Sequence, residues 1–178
     1  GATRFTPDWV WIKSRTEGTS NYTGNHFLYD SVRGVLKRIK SNSNDQESTF
    51  NNSLDTFNTN GFRVLSAIHV NRSSDDYVAW CWLGASSTAT NNVGAVQSSV
   101  RANTAAGFSI VKFTAPSSEQ NFTIGHGLTA KPDMVILKSI SPGGNWFVFH
   151  KGLSAEQNYL YLNADFSESF LTQDSRIW

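Results

Sequence analysis

Apolar residues in this chain recur at every second position in short runs, and clusters of Gly, Asn, Ser or Pro separate the runs. A period of two sends successive side chains to opposite faces of an extended strand, so the pattern predicts β-structure. Ten strands are expected, over residues 8–14, 26–33, 35–40, 62–70, 76–83, 107–114, 121–126, 133–140, 145–151 and 158–163. In the first, Trp9, Trp11 and Lys13 share one face while Val10 and Ile12 share the other; in the fifth, Trp80 and Trp82 flank Cys81 in the same alternation. Paired large rings ordinarily supply burial, which assigns Trp80 and Trp82 to the core. Two stretches carry helical spacing instead. Phe50, Leu54 and Phe57 fall at i, i+4 and i+7, and Ser154 to Gln157 has the form of a capping box, each enough for a turn or two. The fold class expected is all-β, an antiparallel sandwich of jelly-roll or concanavalin-like type.

The pattern also repeats. Pro7, Asp8, Trp9, Val10, Trp11, Ile12, Lys13 and Ser14 return as Pro132, Asp133, Met134, Val135, Ile136, Leu137, Lys138 and Ser139. Downstream, Asn25 to Tyr29 has its counterpart in Asn145 to Phe149, and Ile39 to Asn42 in Leu160 to Asn163. The order is kept and only loop lengths differ. The expected organisation is a first β unit over 1–84, a small-residue connection rich in Ser, Thr, Asn and Ala over 85–106 with room for one edge strand, and a second unit over 107–178. The first unit lacks opening strands that the second has, and the second lacks the closing strands of the first. The chain is either cut from a longer array or built of two partial copies that complete one sandwich. The second arrangement is favoured, because two half-filled sheets would expose aggregation-prone edges. Repeated modules point to an extended structural or binding protein before an enzyme.

Composition narrows the classes further. Six Trp, five Tyr and twelve Phe make the chain 13% aromatic, enough apolar area to fold on packing alone with no cofactor. Fifteen basic residues balance fourteen acidic ones, and no basic stripe is present to neutralise phosphates, which argues against nucleic acid. No apolar run approaches the roughly 20 residues of a membrane-spanning helix, so no membrane insertion is expected. Cys81 is the single cysteine, which excludes an internal disulfide and a thiolate metal site.

Catalytic chemistry has little support. His26, His69, His126 and His150 show no metal-ligand spacing; His126, between Gly125 and Gly127, reads as a turn histidine that bonds backbone. Asp8 and Asp133 occupy equivalent places after proline and are expected to bond turn backbone, and Asp30 and Arg33 to form an ion pair at a strand end. Asn42, Asn44 and Asp45, or Asn163, Asp165 and Glu168, gather oxygens in a loop without matching a calcium-binding loop, so no metal site is assigned. No nucleophile elbow, phosphate loop or dinucleotide fingerprint occurs. The chain is expected to be non-enzymatic.

The phrases from Pro7 to Arg15, Leu28 to Gly34, Phe57 to Phe62, Tyr77 to Trp82, Ala105 to Val111 and Ile124 to Leu128 resemble a repeat domain common in tail-fibre and appendage proteins of marine tailed phages, cyanophages among them. The resemblance implies a lectin-like β-sandwich module carried on the surface of a virion. It brings no catalytic residues. It further implies self-association, with a homotrimer favoured because tail fibres are usually trimeric, contacts to other virion proteins, and attachment to a host-surface glycan. The candidate sugar contacts are Trp11, Asn25, Asp30, Arg33 and Trp146. Asn25 and Trp146 fall in corresponding turn regions, and the assignment requires that tryptophan to be exposed. The alternatives are a capsid- or tail-decorating structural protein with no host ligand, or a fibre-borne polysaccharide depolymerase, which would need two carboxylates facing one groove.

Overall fold

The computed structural model describes residues 4–16, 24–118 and 121–170, and all regular structure among them is β. Along the chain the strands are β1 (Trp9–Ser14), β2 (His26–Asp30), β3 (Lys37–Lys40), β4 (Ser48–Thr49), β5 (Leu54–Asn58), β6 (Gly61–Val64), β7 (Tyr77–Trp82), β8 (Ala89–Asn91), β9 (Ser98–Asn103), β10 (Phe108–Phe113), β11 (Met134–Lys138), β12 (Trp146–His150), β13 (Asn158–Tyr161) and β14 (Ser169–Phe170). They form an antiparallel β-sandwich protein. A five-stranded sheet runs β4-β3-β2-β1-β7, β5 and β6 make a hairpin, β10-β9-β8 form a second sheet, and β11-β12-β13-β14 a third. Among the described residues no helix is long and apolar enough to cross a membrane.

Alternation in β1 decides the layering. Val10 and Ile12 point to one side, where they join Phe27, Tyr29, Leu54, Ala67 and Val70 in a core closed by Phe57, Phe62 and Val64 of the β5–β6 hairpin. Trp9 and Trp11 point to the other side, beside Leu28 and Ile39, and there the covering residues are Trp146, Ile136 and Ile140 from the third sheet. The five-stranded sheet is therefore covered on both faces, and its second core draws on residues more than 100 positions apart in sequence.

Several elements differ from the sequence expectation. Phe50, Leu54 and Phe57 do not begin a helix: Asn52 takes a left-handed φ of 62°, and residues 54–58 pair with 61–64 so that Phe57 lies opposite Phe62. Ser154 caps no helix, because its N–H and hydroxyl both donate to Glu168, at 2.8 and 2.6 Å. The expected strand over 62–70 ends at Val64, and that over 121–126 is reduced to isolated bridges of Ile124 with Gly94 and Val96. The expected connection over 85–106 holds two strands rather than one at most. β9 pairs along its whole length with β10, from Ser98 opposite Phe113 to Asn103 opposite Phe108. Gly125 and Gly127 let the following segment lie against this sheet: a Cβ on Gly125 would sit 2.7 Å from Asn91 and Val93, and one on Gly127, at φ 75°, 2.9 Å from Val100 and Ala102.

The pairings of the first and third sheets coincide. Trp9 lies opposite Asp30 and Lys13 opposite His26, as Met134 lies opposite His150 and Lys138 opposite Trp146. Phe27 faces Lys40 as Phe147 faces Tyr161, and Lys37 faces Thr49 as Asn158 faces Phe170. Asn42 accepts the His26 N–H at 3.1 Å and donates to Asn25 at 2.9 Å; Asn163 accepts the Trp146 N–H at 2.9 Å and donates to Asn145 at 3.0 Å. Residues 171–178 of the expected second unit lie outside the described residues.

Trp146 joins the sheets. It is 4% exposed, and its indole N–H donates to the carbonyls of Lys40 at 2.8 Å and Ser43 at 3.2 Å. Trp146→Ala is expected to lower unfolding free energy by about 3–5 kcal/mol through lost burial and a cavity. Trp146→Phe, which keeps most of the ring but strands two carbonyls, should cost about 1–3 kcal/mol. Urea titration followed by circular dichroism checks both.

Candidate functional site

Four tryptophans converge on one face of the first sheet because two strands carry the same Trp-x-Trp spacing and pair in register. Trp9 lies opposite Trp82, and Trp11 opposite Trp80. Trp9 and Trp82 are covered by Phe108, whose ring stacks on Trp9 with centroids 5.7 Å apart and planes at 8°. Trp11 and Trp80 are not. They meet edge to face at 6.0 Å, Trp11 half-buried and Trp80 44% exposed on the sheet's marginal strand. The core assignment of Trp80 is therefore corrected: β7 lies at a sheet edge, and among the described residues no ring covers its Trp80 end as Phe108 covers Trp82.

The Trp11 ring is held in place. Its indole N–H donates to His26 Nδ1 at 2.9 Å, so that nitrogen is unprotonated and the imidazole hydrogen sits on Nε2. Burial, with Lys13 nearby, lowers the His26 pKa below its usual value and keeps the ring neutral at pH 7. Asn42 accepts the His26 backbone N–H and donates to Asn25, which fixes the start of β2.

The other expected sugar contacts lie elsewhere. Trp146 is buried between sheets, which removes it as a contact surface. Asp30 and Arg33 do pair, but both are buried. Asp30 Oδ1 also accepts the N–H groups of Val32 and Arg33 at 3.0 and 2.7 Å, and the guanidinium donates to Glu47 and to the carbonyls of Leu28 and Lys37. Every polar direction of Arg33 is used to close the β2–β3 turn. Of the five candidates, only Trp11 contacts the exposed ring; Asn25 lies just before β2, on the far side of β1 from β7, bonded to Asn42. Trp80 and His26 were missed, although the matching Trp-x-Trp spacings were there to be read.

The loops proposed to gather oxygens use them internally. Asp45 pairs with Lys40 and donates its backbone N–H to the Ser43 hydroxyl oxygen at 3.0 Å, and Glu168 accepts from Ser154 and Asn158. Among the described residues no group of three His, Cys, Asp or Glu side chains is placed to hold a metal ion. A groove of about 730 Å³ lies between Arg38, Lys40, Asn44, Gln46 and Gly143, and no aromatic ring lines it. His126 bonds backbone, accepting the Leu128 N–H at 3.1 Å.

The sequence matches the DUF7483 family over residues 1–177. The chain belongs to this family, a domain of unknown function. No curated protein and no solved structure matches it.

The DUF7483 domain also holds a serine and a histidine within bonding distance. Ser53 Oγ lies 3.2 Å from His69 Nε2, and the Tyr29 hydroxyl reaches both. All three side chains are fully buried, so no substrate reaches Ser53 and the cluster serves the fold. His69 lies between the rings of Phe27 and Phe50, at 4.5 and 4.7 Å, and its Nδ1 has no partner among the described residues. Burial first, and Arg38 second, push its pKa down to about 3; burial pushes the Tyr29 hydroxyl up to about 12.

A neutral His69 carries a pH dependence of known sign. Below pH 6.5 the unfolded chain binds a proton that the folded one refuses, so stability is full above that pH and falls as pH drops towards 3. The expected loss between pH 7 and pH 4.5 is on the order of 2–3 kcal/mol. Urea midpoints across that range check it, and the part of the slope due to His69 should vanish in His69→Phe.

Proposed function

We propose that this chain is a non-enzymatic β scaffold of a virion fibre or appendage, and that its Trp11–Trp80 surface attaches to a host-surface glycan. One observation carries the glycan part: an indole 44% exposed, held edge to face against a second indole that is itself pinned by a hydrogen bond. An apolar sugar face packs on such a ring with little loss of side-chain freedom, because two χ angles are already fixed by the neighbours. The His26 Nε2–H, on the ring packed against Trp11, would donate to a sugar hydroxyl. The resemblance to tail-fibre repeats supports the virion location, contacts with other virion proteins and a homotrimeric assembly. The coinciding registers of the first and third sheets support a duplicated unit.

Exposed Phe166 and Phe170 on the third sheet favour a second reading, a decorating component whose apolar faces bind other copies and no host molecule. Light scattering followed by a glycan array on the same sample separates the two. Glycan binding that Trp80→Ala abolishes, with melting curves showing that the variant stays folded, supports attachment. A stable oligomer without any glycan signal supports decoration.

Acid should weaken attachment. The His26 pKa lies below the ordinary 6.5, so protonation of Nδ1 sets in below that pH and removes the acceptor that fixes Trp11. Affinity is expected to fall as pH drops below 6.5, by at most about fivefold once Nδ1 is protonated, the effect of one hydrogen bond worth about 1 kcal/mol, and to stay level in Trp11→Phe. Titration across a series of pH values measures it.

A further inference from the structure

The coinciding registers expose one difference between the sheets. In the first, β1 is paired on both sides, with β2 and with β7. In the third, β11 pairs with β12 and has no strand on its other side among the described residues. We propose that this β11 edge is an acceptor site for an extended segment of the Tyr77–Gly84 type, one alternating aromatic with small residues and closing in glycine, supplied by another polypeptide chain.

The first sheet shows what such a segment does. Asp8 donates its N–H to the Trp82 carbonyl at 2.8 Å, and its carboxylate accepts the Gly84 N–H at 2.8 Å and the Ser31 hydroxyl at 2.6 Å. With β7 and Gly84 laid against it, the Asp8 side chain is only 2% exposed. Glycine suits the place after the strand, since a Cβ there would come within 3.1 Å of the Asp8 carboxylate.

At the third sheet the same parts stand uncovered. The Asp133 carbonyl accepts the Lys151 N–H at 2.9 Å, as the Asp8 carbonyl accepts that of Ser31 at 2.9 Å, so the turn is built alike. The Asp133 side chain, however, is 67% exposed and pairs with the equally exposed Lys151. Met134, in the place of Trp9, is 52% exposed, and Leu137, in the place of Ile12, is also exposed. Methionine accommodates an incoming indole well, and main-chain bonds to an open edge supply affinity while alternate side chains supply selectivity. β11 itself has no proline, and its one charge, Lys138 over the Trp146 ring, stands at the strand end in the place of Lys13, which is paired with Val78 of β7 in the first sheet.

The test titrates a peptide of residues 76–86, with Cys81→Ser, into the full chain and follows binding by calorimetry. Saturable binding of one peptide per chain is expected, weakened about tenfold by Asp133→Ala and by Met134→Lys. Both side chains are exposed, and melting curves establish that the variants stay folded. N-methylation of one alternating set of peptide amides should abolish binding while the other set is tolerated, as main-chain pairing demands. Failure to bind overturns the proposal. So does binding indifferent to both substitutions, which would mean displacement of β7 from β1, or binding indifferent to N-methylation, which would mean adhesion without strand pairing. None of these outcomes bears on the Trp80 surface.

Discussion

The architecture depends on one buried indole. Trp146 is large enough to fill the space over Leu28 and Ile39, and its N–H must find an acceptor once water is excluded. Carbonyls of the 40–43 turn supply it. Around that contact the two backbones bond directly, Glu47 N–H to the Ile140 carbonyl at 3.0 Å and Gly144 N–H to that of Asn44 at 2.9 Å. The approach is so close that a Cβ on Gly143, at φ 109°, would lie 2.9 Å from the Asn44 carbonyl oxygen. The joint is specified by main-chain geometry as well as by apolar area.

What that joint leaves uncovered is where function is sought. Across the outer face of the first sheet Trp80, Trp11, Leu28 and Ile39 lie side by side, and the third sheet covers the Leu28–Ile39 side while Phe108 covers Trp9 and Trp82. Trp11 and Trp80 remain at the corner. A rigid exposed aromatic surface thus arises from incomplete coverage of an otherwise ordinary sheet, and its placement depends on the same packing that holds the sheets together.

Buried polar groups elsewhere tie the layers and constrain the chain's chemistry. Asp8 gathers β1, β2, the end of β7 and, through Arg101, β9. His69, Ser53 and Tyr29 do the same for the β5–β6 side. Each is a hydrogen-bonded cluster in low dielectric, where removing a partner strands the rest, and such clusters fix one arrangement of the layers over others. The proximity of serine and histidine has a structural meaning here because both are inaccessible.

Period-two alternation, the turn residues and the recurring Pro-Asp phrase were enough to establish an all-β antiparallel fold, most strand positions and the two faces of β1, since those depend on neighbours in sequence. The Asp30–Arg33 pair and the backbone bond of His126 were legible for the same reason: their partners lie within a few residues. Strands β8 and β9 were not, because Ala, Asn and Ser carry little strand preference, and β9 is held by its pairing with β10 and β8 by its pairing with β9. Nor was the difference between Trp80 and Trp146. Trp80 reads as core and Trp146 as an exposed turn residue, yet the first lies on a sheet margin and the second beneath a second sheet. Which ring is covered is set by contacts across more than 100 residues, and local pattern carries no record of what will be laid on top.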